Sequence, residues 1–318
     1  MNRIGTKQRG FTLVETLVAL ALITIISLIV MGALSPWMGF KQKMDTERRI
    51  QDVRQGLVAY YEAQAMAVER QPAGKFSLFT SSTPDGEGRC ELQTEAFEAV
   101  SDYFSESPQQ LSRDGYANPW CIFVSSPFKI VRDGVDLWYR NVAVISTGGD
   151  GVLDPATKMQ PDGTLVVAGD DAGAIVSGRE VQAEKLKETL KRMNKVAQMY
   201  ETYFTTRFLA NTSRDITVYY FSKAYDTTGA VPATGGSWAK AAETLKDIGV
   251  GATDANSAWE LDSALEVGNQ SETLNGVQVR SPATAGTGVL PYTALIRAKL
   301  PAPAGQNAYA TQVVVGNY

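Results

Sequence analysis

Glu15 is the only charged side chain between Phe11 and Leu34, a run of 24 apolar-rich residues. A carboxylate inside an apolar helix costs at least about 2.5 kcal/mol when the helix enters a bilayer, so it calls for a partner or a function. Histidine is absent from all 318 residues. Its absence removes the commonest general base, the Ser-His and Cys-His nucleophile pairs and most zinc sites. Carboxylates are plentiful, but none stands in a recognisable catalytic frame, and no enzymatic activity is expected. Cys90 and Cys121 are the only cysteines. The leader cations Arg3, Lys7 and Arg9 orient the apolar segment so that both cysteines lie outside the cytoplasm, where disulfides persist. Two readings stand: one bridge closing about 31 residues, worth on the order of 3 kcal/mol in the chain-entropy model, or two buried free thiols.

The elements that carry these groups are legible from periodicity. A helix from Phe11 to Leu34 would be roughly 36 Å long, enough to cross a hydrocarbon core of about 30 Å. A secretory signal peptide wants an apolar stretch of about 7 to 15 residues, and its best small-x-small site here, Ala33-Leu34-Ser35, would put Pro36 directly after the cut. A plain signal anchor explains the length and the basic leader but neither Gly10-Phe11 nor Glu15. Beyond Pro36, which should kink or locally melt the helix, Ile50, Val53, Leu57, Tyr60, Gln64 and Val68 recur at steps of three and four. That spacing predicts an amphipathic helix over about 41–69, continuous with the anchor as one stalk. A loop over 72–88 and a short helix with Phe97, Val100 and Phe104 on its apolar face follow. Strands are expected at Trp120 to Val124, at Phe128 to Arg132 and Val135 to Tyr139 around the Asp133-Gly134 hairpin signal, and at Asn141 to Ser146.

The run Gly10-Phe11-Thr12-Leu13-Val14-Glu15 resembles the class III signal of type IV pilins and type II secretion pseudopilins. The resemblance implies cleavage by prepilin peptidase after Gly10 and N-methylation of Phe11. It also implies that Glu15 pairs with the new N-terminal amine of a neighbouring subunit during assembly. The fold it implies is α+β: a long N-terminal transmembrane and stalk helix packed on an antiparallel sheet, with residues 1–10 as leader, 11–40 as transmembrane and assembly helix, and 41–172 as head. The segments 114–120 and 144–151 look like the two loops that bracket the sheet of major pseudopilins. In that family the second loop binds calcium, with Asp150 on a ligand position and Asp154, Asp170 or Asp171 as the second carboxylate. Hard oxygen ligands suit calcium. About twenty residues separate Gly151 from Asp170, however, and a polar Gly/Asp turn without metal is an equal reading.

The chain continues where such pseudopilins stop. Residues 179–318 form a further α+β module in this reading. It begins with a helix from Glu180 to about Phe208, carrying Leu186, Leu190, Met193, Ala197, Tyr200 and Phe204 on one face. A shorter helix over Trp238 to Ile248, capped by Ser237 and stopped by Gly249, comes next, then strands near Gly276 to Arg280, Tyr292 to Leu300 and Ala310 to Val315. The order of long helix, short helix and sheet repeats that of the first module, and Asp254, Asn256 and Trp259 echo Asp114, Asn118 and Trp120. A degenerate second pilin-like head and an unrelated module are both consistent with this, with 173–178 as the hinge. Tyr219, Tyr220, Phe221 and Tyr225 read as sheet core or as the lining of a ligand groove.

Removing residues 1–10 leaves 27 basic against 34 acidic side chains, a net charge of −7. A basic nucleic-acid-binding surface is not indicated, and the lysines and arginine between 185 and 195 alternate with Glu184 and Glu188 as on a solvated helix face. The expected protein is a structural subunit, minor or at the tip, of a type IV pilus or related filament. It would sit in the bacterial inner membrane before assembly and in an extracellular pilus or periplasmic pseudopilus afterwards. Its partners would be prepilin peptidase, other pilin or pseudopilin subunits and the inner-membrane assembly platform. The alternatives are a type II secretion pseudopilin and an adhesin or ligand-binding module delivered on a pilin anchor.

Overall fold

The computed structural model describes residues 13–72, 75–76, 79–104, 107–216, 218–221, 238–246, 249–259, 264–268, 273–274, 277–278 and 292–318; the side chains of 29–35, 75, 244, 273–274 and 277–278 are not described. The chain is an α+β mixture: an N-terminal helix followed by antiparallel sheets, consistent with a pilin-like fold. Helix α1 spans Leu13–Arg70 and is assigned as helix straight through Pro36; its non-helical dihedrals lie at Gln64 instead. The apolar spacing read from the sequence turns one face inward, burying Ile50, Val53, Leu57, Tyr60, Tyr61, Ala65 and Val68.

The short pair β1 (Lys75–Phe76) and β2 (Phe79–Thr80) precedes α2 (Thr94–Ala99) and α3 (Pro108–Leu111). Strands β3 (Cys121–Val124), β4 (Phe128–Arg132), β5 (Val135–Tyr139) and β6 (Asn141–Ser146) follow. The β4–β5 hairpin turns on Asp133 and Gly134, both at positive φ, as the two central positions of a tight hairpin turn require. After β7 (Lys158–Met159) and β8 (Leu165–Val166), β9 (Ala172–Ser177) returns to pair with β6, completing a sheet of order β3-β6-β9 under α1.

Residues 173–178 are not a hinge. Their glycines allow close approach: a Cβ on Gly173 would lie 3.0 Å from the Val144 carbonyl across the ladder, and one on Gly178 would collide with the Tyr61 hydroxyl and the Arg140 carbonyl. Helix α4 (Gly178–Ala210) starts directly from the end of β9, with the Ser177 hydroxyl accepting from Arg179 N.

In the C-terminal part, β10 (Ala239–Lys240) leads into α5 (Ala241–Thr244), a single turn where a helix to Ile248 was expected; Ser237 lies outside the described residues. Strand β11 (Glu266–Gly268) and the pair β12 (Thr273–Leu274) and β13 (Val277–Gln278) follow, then β14 (Thr293–Leu300) and β15 (Ala308–Val315), giving a sheet of order β10-β11-β14-β15 against α4. One apolar cluster runs through both halves, from Ile50 and Leu57 to Tyr200, Ile296 and Val314.

The second half repeats the first in detail. Arg49 Nη1 on α1 donates to the carbonyls of Gln110, Arg113 and Asp114, which lie 61, 64 and 65 residues downstream. Arg192 Nη1 on α4 donates to the carbonyls of Thr253, Asn256 and Ser257, again 61, 64 and 65 residues downstream. Thr46 Oγ1 accepts from Gly115 N and Thr189 Oγ1 from Ala258 N, both across 69 residues. The register that sets Arg49 on Arg192 also matches the buried rows: Ile50 with Met193, Val53 with Val196, Leu57 with Tyr200, Tyr60 with Tyr203, Tyr61 with Phe204 and Ala65 with Phe208. Six coincident core positions and four coincident long-range hydrogen bonds mark one architectural unit used twice.

Candidate functional site

Glu15 stands exposed near the start of the described part of α1. Around it Leu13, Val14, Leu17, Val18, Leu20, Leu22, Ile23, Ile25, Ile26 and Leu28 are exposed on every side of the helix. A helix apolar all round needs an apolar surrounding, either lipid or other helices. Among the described residues no helix is long and apolar enough to cross a membrane; the side chains of α1 are described from Leu13 to Leu28 and again from Pro36 onward. Gly10 and Phe11, the expected processing pair, lie outside the described residues.

The two loops expected to bracket the sheet are brought together. Asp114 is buried, its Oδ1 accepting from Tyr116 N at 2.9 Å and Asn118 N at 2.8 Å while Oδ2 accepts from Ser146 Oγ at 2.5 Å. Burial raises the Asp114 pKa above its usual value, partly offset by those hydrogen bonds. Asn118 Nδ2 then reaches Gly148 O at 2.8 Å and ties the first loop to the second. Asp150 and Asp154 close local turns, accepting from Val152 N and Ala156 N, whereas Asp170 and Asp171 reach back across the excursion between β6 and β9 to accept from Gly149 N and Asp154 N. Burial also raises the pKa of Asp171, with Asp170 and Asp154 adding repulsion. Among the described residues no group of three or more His, Cys, Asp or Glu is placed to hold a metal, whereas the expected site calls for two carboxylates together with carbonyl oxygens.

Cys90 and Cys121 are bonded, with Cα atoms 5.4 Å apart, pinning the turn at Asp85 to Arg89 against β3. Tyr219, Tyr220 and Phe221 are core, Tyr220 and Phe221 packed on Phe204 and Tyr219 on Tyr292; Tyr225 lies outside the described residues.

Sequence reasoning missed the junction between the halves. Glu69 and Arg140 are 0% and 1% exposed, with Arg140 Nε 3.7 Å from Glu69 Oε2 and the Tyr61 hydroxyl donating to Glu69 Oε1. Burial pushes the Glu69 carboxyl up to about 7, outweighing the pull of Tyr61 and Arg140. Arg140 also donates to Gln71 O at 2.8 Å, and Gln182 on α4 links Ala65 O at 3.1 Å to the Trp259 indole at 2.7 Å. The repeated Thr-x-x-Arg at 46–49 and 189–192 was a sequence signal for the repeat of the two halves, not for this network.

Residues 5–31 match the prokaryotic N-terminal methylation motif, the class III signal consistent with the type IV pilin and pseudopilin family. No curated protein and no solved structure matches the chain. The motif suggests a structural subunit processed by prepilin peptidase and assembled with other pilin subunits.

Proposed function

We propose that this chain is a minor or tip subunit of a type IV pilus or related filament, held in the inner membrane by residues 11–40, cut after Gly10 and methylated on Phe11. The observation that carries the reading is the methylation motif at 5–31 leading into a 58-residue helix whose C-terminal half packs under a sheet. Mass spectrometry of the mature N-terminus tests it: methylated phenylalanine at Phe11 is expected, and any other terminus overturns it. Glu15→Ala should insert at least as well as the native chain, having shed a charge from lipid, yet fail to enter filaments. Equal incorporation would remove the amine-pairing role.

The doubled head supports a place at the filament end, because a subunit with nothing above it can carry extra mass outward. Antibody to residues 179–318 should label filament ends sparsely; continuous labelling would make this the major subunit. A type II secretion pseudopilin is the second reading, favoured by the packing of Asn118 on Gly148 between the two loops. Calcium at Asp150 with Asp154, Asp170 or Asp171 as a further carboxylate is a separate proposal. A melting temperature equal in millimolar calcium and in chelator would end it.

A further inference from the structure

The two edges of the β3-β6-β9 sheet are finished differently. Hydrogen bonds in an antiparallel ladder alternate, so every second residue of an edge strand turns its amide and carbonyl away from the sheet. On β3 these residues are Ile122 and Val124, and both are answered. Ser82 N donates to Ile122 O at 2.6 Å, Ser82 Oγ accepts from Ile122 N at 2.8 Å, and Ser81 Oγ accepts from Val124 N at 3.0 Å. On β9 the bond from Gly178 N to Arg140 O fixes the alternation: Ala172, Ala174 and Val176 face β6, and Gly173, Ile175 and Ser177 turn outward. Among the described residues one side chain hydrogen-bonds to that outward backbone, Arg54, whose Nε lies 3.3 Å from Ile175 O.

The open edge lies at the base of a groove. Helix α1 packs on the sheet face that carries Val144 and Val176, and Leu165 packs on the face that carries Ile145. Gln51 and Arg54 therefore wall one side, and Leu165 and Val167 the other, of a space of about 610 Å³ along Gly173 to Ser177. Val167, 39% exposed, gives it an apolar lip. At Arg54 and Ser177 the groove continues into a cleft of about 770 Å³ beside α4, lined by Val58, Val176 and Val181 and by the exposed Glu62, Glu180 and Glu184. Arg192 in this cleft is held by Glu188 and three carbonyls, and Arg54 by Ile175 O, so the cation left beside those carboxylates is Lys185.

An open strand edge is a template for a further strand. Such a strand is held by main-chain bonds, with pockets for alternate side chains supplying specificity. We propose that the outer edge of β9 is a docking slot for an extended segment of a partner protein. The segment adds as a strand beside Gly173 to Ser177, sets apolar side chains on Leu165 and Val167, and carries lysine or arginine at its end over Glu62 and Glu180. The slot belongs to the first head, clear of residues 11–40, and a single strand fills it.

Fluorescence anisotropy would follow a fluorescein-labelled peptide, Val-Thr-Val-Thr-Val-Lys-Lys, titrated with the full-length chain in detergent, while hydrogen exchange is read at 173–177. Saturable binding and slowed exchange at Ile175 and Ser177 are expected. The same peptide N-methylated at its valines and threonines should bind about tenfold or more weakly, because it cannot complete a ladder; this arm leaves the protein untouched. Ile175→Pro should have a similar effect, since it removes an outward amide and no bond to β6. Glu62→Lys combined with Glu180→Lys should weaken binding about fivefold, and a Glu-Glu tail on the peptide should do the same. No binding, binding indifferent to N-methylation or to tail charge, or slowed exchange confined to other strands would each overturn the proposal. Self-association of the chain without peptide, lost in Ile175→Pro, would give the slot to a second copy and overturn it as well.

Discussion

The two heads share the buried row of a long helix, its threonine and arginine ties to a downstream turn, and three antiparallel strands, and they differ in how those strands are joined and braced. In the first, β6 and β9 are separated by the excursion over 147–171 with its four hydrogen-bonded aspartates, and Cys90 clamps β3. In the second, β14 and β15 are joined directly through 301–307, and their ladder runs from Thr293 opposite Val315 to Leu300 opposite Ala308. No cysteine exists there. The tighter connection replaces a covalent brace with a longer ladder. What the heads share is what builds the unit; the loop and the disulfide are local additions.

Breaking the junction should cost most. Arg140→Ala strands Glu69 and the Gln71 carbonyl in the interior and should lower stability by about 3–5 kcal/mol, losing both heads in one denaturant transition because their core is continuous. Two separate transitions would show that the heads are independent. The disulfide is next: reduction should cost on the order of 3 kcal/mol for a 31-residue separation. Hydrogen exchange should rise first at 85–89 and β3 rather than in β14 and β15. A uniform rise would erase the difference between the heads.

Glu69 gives a pH test. Its carboxyl titrates at about 7 when folded and near 4.5 when unfolded. The folded chain therefore holds the extra proton between those values, and this group's contribution falls as pH rises through that window, by roughly 3–4 kcal/mol at most. Glu69→Gln should flatten that part of the stability profile; an unchanged slope would place the carboxylate's partner elsewhere. The smallest effect sharpens the repeat. Arg49→Ala and Arg192→Ala each remove a guanidinium shared by three carbonyls and should each cost about 1.5–3 kcal/mol. Near-equal losses in urea melts are expected, and a severalfold disparity would mean that the two clamps are alike only in geometry.

Local and covalent features were legible in the sequence. The methylation motif is a contiguous string, the helix faces follow a 3.6-residue period, Asp133-Gly134 encodes a turn between adjacent strands, and two cysteines allow a single internal pairing. The extent of α5 was not legible, because its short run carries too little apolar periodicity to outweigh the pairing of β10 with β11. The role of 173–178 was misread because glycine permits both flexibility and close approach, and only the positions of Val144 O, Tyr61 and Arg140 O distinguish them. The amide partners of Asp170 and Asp171, Gly149 N and Asp154 N, lie 21 and 17 residues away in the chain and could not be read from it. The tie of Arg49 to three carbonyls, its twin at Arg192, and the burial of Glu69 against Arg140 depend on where a helix lies relative to a turn more than sixty residues away. Sequence determined the pieces because bonds and short periods act between neighbours; tertiary structure decided their register because packing acts between residues that the chain keeps apart.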